Sequence, residues 1–173
     1  MVEMGEQVII TMPDGVKRPI PKGTKLQELA DQWDKEAVAA QVDGAFFDLS
    51  RTVEKDAAIS FISIHSKKGL EILRHSASHV MAQAVKELFQ TVKLTFGPYT
   101  ENGFYYDFDK KEPFTPEDLE KIEKRMAEII KEDLLFEREE LSKDEASNLF
   151  KEKDEKYKLE LIAELNSEKV SIY

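Results

Sequence analysis

The 173-residue chain has no cysteine, a single tryptophan and three histidines. Zero cysteines exclude disulfides and thiol nucleophiles. No apolar run approaches bilayer-spanning length and the first five residues carry no signal-peptide pattern, so a soluble protein of the cytoplasm is expected. Positive charge is also scarce. Lys and Arg number 25 against 35 Asp and Glu, a net charge of −10 that opposes non-specific attraction to nucleic acid. Small basic groups such as Lys67-Lys68, or Lys156 with Lys158, could touch phosphates but read as solvated faces. What is present, 41% hydrophobic and 35% charged residues, fits one or two small domains with modest cores.

The first sixty or so residues read as a mixed α+β unit of order ββαβββ. Val8, Ile10 and Met12 alternate before the turn Pro13-Asp14-Gly15, and 16–20 can return as a hairpin arm. Thr24 stands three residues before Gln27 in a capping-box pattern, and Leu26, Leu29, Ala30 and Trp33 give the following helix an apolar face. Two further strands, 38–42 and 45–49, are joined by Asp43-Gly44, and 57–64 closes the unit. Such a pattern suits a small sheet grasping one helix. With no histidine before His65 and no phosphate loop, this segment reads either as a binding or positioning module or as a structural appendage.

His75 and His79 stand one helical turn apart in Arg74-His75-Ser76-Ala77-Ser78-His79-Val80, so both imidazoles share one face of a helix expected over 68–89. The apolar stripe runs through Leu70, Leu73, Ala77, Val80, Met81, Ala84 and Leu88, with the histidines on the far side beside Gln83 and Lys86. That face could be a solvated surface, or a second contact surface using Ile72 and Ala82. It could equally be a metal site, an acid/base pair or a polar ligand pocket. Zinc-protease chemistry needs a glutamate after the first histidine, and Ser76 stands there, so the spacing argues against metal.

Beyond the helix, 92–96 reads as a strand and Gly97-Pro98 as a bend. In Gly103-Phe104-Tyr105-Tyr106-Asp107-Phe108-Asp109 an aromatic face alternates with a mostly polar one, the mark of a half-buried antiparallel strand. Thr115 as N-cap, Pro116 in the first turn and the acidic Glu117 and Asp118 open a long helix whose stripe is Leu119, Ile122, Met126, Ile129 and Ile130. Ser142 and Glu145 form another capping-box pattern ahead of Ala146, Leu149 and Phe150. The charge-dense run 151–158 reads as solvated, and Val170-Ser171-Ile172-Tyr173 as the opening of an unpaired strand, which hints that the chain continues.

The histidine pair, Gly97-Pro98, Asn102-Gly103-Phe104-Tyr105-Tyr106-Asp107 and Tyr157-Lys158, taken in order, closely resemble the amino-terminal part of bacterial threonyl-tRNA synthetases. The resemblance implies a TGS domain of β-grasp, ubiquitin-like fold over 1–64. Over 65–173 it implies the first part of an α+β editing domain, with antiparallel sheet and helices. In that family the editing domain hydrolyses tRNA mischarged with serine. The resemblance maps His75, His79 and Lys158 onto catalytic groups of the editing pocket and Tyr106 onto a substrate-binding one.

The family pocket is completed by a later aspartate, cysteine and histidine, and aminoacylation needs class II catalytic and anticodon-binding domains. The chain stops before all of these, so the resemblance implies an amino-terminal piece of the ligase that is inactive alone. No cofactor or metal is expected here, ATP and zinc belonging to the catalytic domain. The implied partner is tRNA(Thr), with homodimerisation through that catalytic domain, a monomer for this stretch and no membrane contact. The alternative is a self-standing β-grasp binding protein with a non-catalytic editing-like domain. A reading frame continuing past Tyr173 with a cysteine and a histidine four residues apart would favour the enzyme.

Overall fold

A computed structural model describes residues 6–137 and 139–172. Residues 1–5, Arg138 and Tyr173 lie outside the described residues, and with them the outer ends of the two expected domains. The chain divides into two compact units, 6–74 and 75–172, each with its own core.

The first unit opens with β1 (Gln7–Thr11) and β2 (Lys17–Pro21), an antiparallel hairpin pairing Val8 with Ile20. A short β3 (Thr24–Lys25) leads into α1 (Leu26–Trp33). Then come β4 (Ala37–Val42), β5 (Ala45–Phe47), β6 (Thr52–Val53) and β7 (Ala57–Ser63). The main sheet has the order β2-β1-β7-β4-β5, with β1 and β7 parallel in the centre, so one helix lies in the curl of a mixed sheet as in the β-grasp arrangement. Asp43 and Gly44 both take positive φ, 51° and 85°, the tight turn that the Asp-Gly pair favours between β4 and β5. The core joins Val8, Ile10, Ile20, Leu26, Leu29, Ala40, Val53 and Ile59.

Two expectations for this unit fail. Thr24 does not cap α1. It sits in β3 paired with Val53, and its hydroxyl donates to the Pro21 carbonyl at 2.6 Å. The orphan N–H groups of Leu26 and Gln27 donate instead to the carbonyls of Arg51 and Leu49, so a passing loop does the capping. Trp33 is exposed, its ring under the Arg18 guanidinium at 5.4 Å, because the core is already filled by Leu26, Leu29 and Ala30.

Helix α2 (Lys67–Leu88) starts in the first unit, where the Ser66 hydroxyl accepts from the Gly69 N–H, and carries on into the second. There follow β8 (Lys93–Leu94), β9 (Tyr99–Thr100), β10 (Gly103–Phe104), β11 (Phe108–Asp109), α3 (Pro116–Glu132), β12 (Glu139–Ser142), α4 (Lys143–Glu152), α5 (Lys156–Glu164) and β13 (Lys169–Ile172). All strand pairs of this unit are antiparallel among the described residues, and the fold class of the chain is α+β. One core packs Ala84, Val85 and Val92 against Ile122 and Ile129 of α3, with Phe89, Phe108 and Phe114 around them. A smaller one joins Ala146, Ile162 and Val170.

The stripe read on α2 is displaced: Leu70, Leu73 and Leu88 are exposed, whereas Ser78, Ala82 and Val85 are buried. Periodicity marks apolar positions but not which of them find a partner, and the chain packs on Val80, Met81, Ala84 and Val85. For the same reason Leu119 and Ile130 of α3 are exposed while Ile122 and Ile129 are buried. The strand expected over 103–109 is broken at Tyr105–Asp107. Leu94 pairs with Phe108, yet Tyr99 pairs with Phe104, one residue out of step. The extra residue lies in the stretch containing Pro98, which has no N–H to give a ladder, and the irregularity is a β-bulge. The terminal residues expected to be unpaired form β13 against β12.

Candidate functional site

All four residues singled out from the sequence lie in the second unit, and three elements bring them to one place. Helix α2 carries His75, which is exposed, and His79, which is half-buried. Their rings meet edge to face with centroids 4.6 Å apart and Nε2 atoms 3.1 Å apart. At that distance one nitrogen must donate a hydrogen and the other accept it, so the pair works as a linked unit. The His79 pKa is held below the ordinary histidine value, first by burial, then by the adjacent His75 and by the charge of Lys158.

Lys158, on the first turn of α5, is half-buried and donates to the Tyr106 hydroxyl across a long 3.5 Å. Burial lowers its pKa, opposed by the negative charge of Glu155. Tyr106, between β10 and β11 on the arm that faces the bulge, is pushed up by burial and by the same carboxylate, so it keeps its phenolic proton. Its ring stacks on Phe108 at 5.0 Å and lies over Gly97, where an added Cβ would stand 2.3 Å from the ring and 2.5 Å from the Tyr105 carbonyl. Gly97 is therefore the residue that lets Tyr106 lie flat against the opposite arm.

Sequence reasoning missed three neighbours. Tyr99 meets His75 edge-on at 6.5 Å, and Phe136 lies 6.1 Å from His79. Their aromatic character was visible, but no local pattern ties them to the histidines. Glu155 is the third. It sits within the charge-dense run read as solvated, yet is 7% exposed and paired with Lys86 at 2.7 Å. The third histidine, His65, pairs with Glu36 in the first unit at 3.3 Å. Among the described residues no group of three or more His, Cys, Asp or Glu is placed to hold a metal ion. No described helix is long and apolar enough to cross a membrane.

A cluster of two linked imidazoles, one exposed and one half-buried, with a half-buried phenol and ammonium offers proton acceptors and donors side by side, the inventory needed for general acid–base work on a polar substrate. No protein-family model matches the chain. Whole-chain similarity is decisive: it is 48% identical over 171 residues to a threonine--tRNA ligase of Citrifermentans bemidjiense, covering 96% of this chain and 27% of that protein. Over nearly its whole length, the chain is similar to one segment of threonine--tRNA ligases. It is also 45% identical over 181 residues to the threonine--tRNA ligase of Caldanaerobacter subterraneus subsp. tengcongensis, covering 100% of this chain and 28% of the relative. For that of Maricaulis maris the figures are 46% over 169 residues, 95% and 26%. The chain thus spans about a quarter of the length of these threonine--tRNA ligases.

Proposed function

We propose that this chain serves a longer threonine--tRNA ligase as its proofreading region, the second unit contributing half of a pocket that hydrolyses serine mischarged onto tRNA(Thr) and the first unit contributing tRNA contact. The observation that carries this reading is the convergence of the exposed His75 and the half-buried His79, Tyr106 and Lys158 from three separate elements onto one patch. Ester hydrolysis needs a water stripped of a proton and donors for the charge that develops on the carbonyl oxygen. His79, biased towards neutrality by burial and by its neighbours His75 and Lys158, supplies the acceptor. Lys158 and Tyr106, whose hydroxyl accepts from the lysine and keeps its own hydrogen to give, supply donors. A second hydrolytic site is chemically reasonable because one methyl group is worth only about 1–3 kcal/mol of discrimination in an apolar pocket. A net charge of −10 leaves nucleic-acid attraction to local contacts.

The test is deacylation of seryl-tRNA(Thr) by the full-length ligase carrying this region. His75→Ala and His79→Ala are each expected to slow it by roughly 10²-fold or more, the usual worth of a positioned proton acceptor. Parental rates in both variants would refute the site. The 173-residue chain alone is expected to show little or no activity.

A further inference from the structure

Tyr99 belongs to neither core of the second unit and is 43% exposed. It nevertheless stands on fixed backbone. Pro98 locks the φ angle just before it, β9 pairs it with Phe104, and the Tyr105 N–H donates to the Pro98 carbonyl at 3.5 Å. Exposed aromatic residues are ordinary one at a time, and this one is set apart by its neighbour. Its one ring contact among the described residues is with His75, centroids 6.5 Å apart and planes at 85°. An edge-to-face meeting occupies at most one face of the tyrosine ring, so the other is left for a flat partner.

The groups of the site are graded by depth. Tyr106, Lys158 and His79 are half-buried, whereas His75 and Tyr99 are exposed. The rings run Tyr99, His75, His79 in centroid steps of 6.5 and 4.6 Å. Lys158, with Tyr106 beside it, lies at the His79 end, where its charge reaches that imidazole. In an aminoacylated RNA the ester joins the amino acid to the sugar of the terminal nucleoside, so the amino acid is the tip and the base follows it. A substrate entering tip first puts its amino acid among the half-buried groups and its ester beside the imidazoles. Its base is left level with the exposed ring. Unpaired bases stack on aromatic side chains whatever their sequence, because every base has a flat face.

From this order we infer that Tyr99 is the platform on which the terminal base of the mischarged RNA stacks, a nucleobase subsite on the solvent side of the histidine pair. The inference deepens the proofreading reading and rests on it for the identity of the ligand. Phe136 is not given this role, because it meets the other imidazole, His79, at 6.1 Å and so stands at the amino-acid end.

A free nucleotide offers the same flat base, so the test has two arms. At low salt, where phosphate contacts are strongest, the 173-residue chain is titrated into tRNA(Thr) whose terminal adenine is replaced by fluorescent 2-aminopurine, and separately into 2-aminopurine riboside 5′-monophosphate. Stacking quenches this fluorophore. The parent and Tyr99→Phe should quench the RNA probe, and Tyr99→Leu, which keeps bulk but has no aromatic face, should not. Quenching that survives in Tyr99→Leu, that is missing in the parent, or that is seen with the mononucleotide alone overturns the inference. In the full-length ligase, Tyr99→Leu should raise the concentration for half-maximal deacylation of seryl-tRNA(Thr) about 5-fold or more with the limiting rate retained, and Tyr99→Phe should restore it. A lower limiting rate at unchanged half-saturation would make the ring a support for His75, and a lower Tm alone would mean that another segment of the ligase covers it. Either result overturns the inference. If quenching depends on Tyr99 while His75→Ala and His79→Ala deacylate at the parental rate, the base platform stands and the proofreading reading falls. If the histidine variants are slow and Tyr99→Leu is parental in both assays, proofreading stands and the platform falls.

Discussion

His79 shows how much of the site's behaviour is local electrostatics. It is half-buried with its Nε2 3.1 Å from that of the exposed His75, and its pKa is depressed by burial, by His75 and by Lys158. A folded-state value below the unfolded one means that the folded chain binds fewer protons. This contribution to stability is therefore intact above about pH 6.5 and is lost as pH falls from that unfolded value to the lower folded one. A proton NMR titration of His79 should show a midpoint below about 6.5, and Lys158→Met should raise it by removing a repelling charge. His79→Gln should reduce the loss of urea resistance between about pH 7.5 and 5.5 relative to the parent. A midpoint indifferent to Lys158 would mean that the two groups are not neighbours in solution. The histidine spacing was legible because one turn of helix is a local rule. Glu155 was not, because burial of one carboxylate in a charged run depends on Lys86, 69 residues away.

At the scale of elements, caps separate readings that depend on neighbours in sequence from those that depend on tertiary partners. Thr115 caps α3 in a full capping box with Asp118, and Ser142 does the same for α4 with Glu145. Thr24, with the same kind of sequence signature, caps nothing. Thr115→Ala should accordingly cost about 1 kcal/mol in urea unfolding, whereas Thr24→Ala, exposed and bonded to a turn carbonyl, should cost about 0.5 kcal/mol or less. Equal costs would contradict the assignment of caps. The strand arms teach a related lesson. The alternation of Phe104, Tyr106 and Phe108 was readable, and it survives as a burial pattern. The one-residue slip between the β8–β11 and β9–β10 pairs was not readable, since register is settled by the partner strand.

For the molecule as a whole, hydrophobic patterning gave the α+β class, the five longer strands and the helix of the first unit in order, the extent of α2 and the starts of α3 and α4, but not the short β3 and β6 or the helix α5. It misjudged which leucines are covered, since Leu70, Leu73, Leu88 and Leu119 all look like core and are exposed. The cores are confined to their own units, one built on Leu29 and Ile59 and another on Val85 and Ile129. Leu29→Ala should lower the exchange protection of the first unit's core amides by about 2–5 kcal/mol, the usual penalty for such a truncation, while those of 84–92 and 122–129 keep theirs. A uniform loss over both units would mean that the chain unfolds as one cooperative body. Lys86 sits seven residues beyond His79, which turns the stretch between them into a ruler. Adding or deleting one residue there would rotate the lysine by about 100° around the helix and shift it by about 1.5 Å. Side chains along 80–85 can vary within packing limits, but their number cannot, and insertions or deletions in that stretch should be among the least tolerated in the chain.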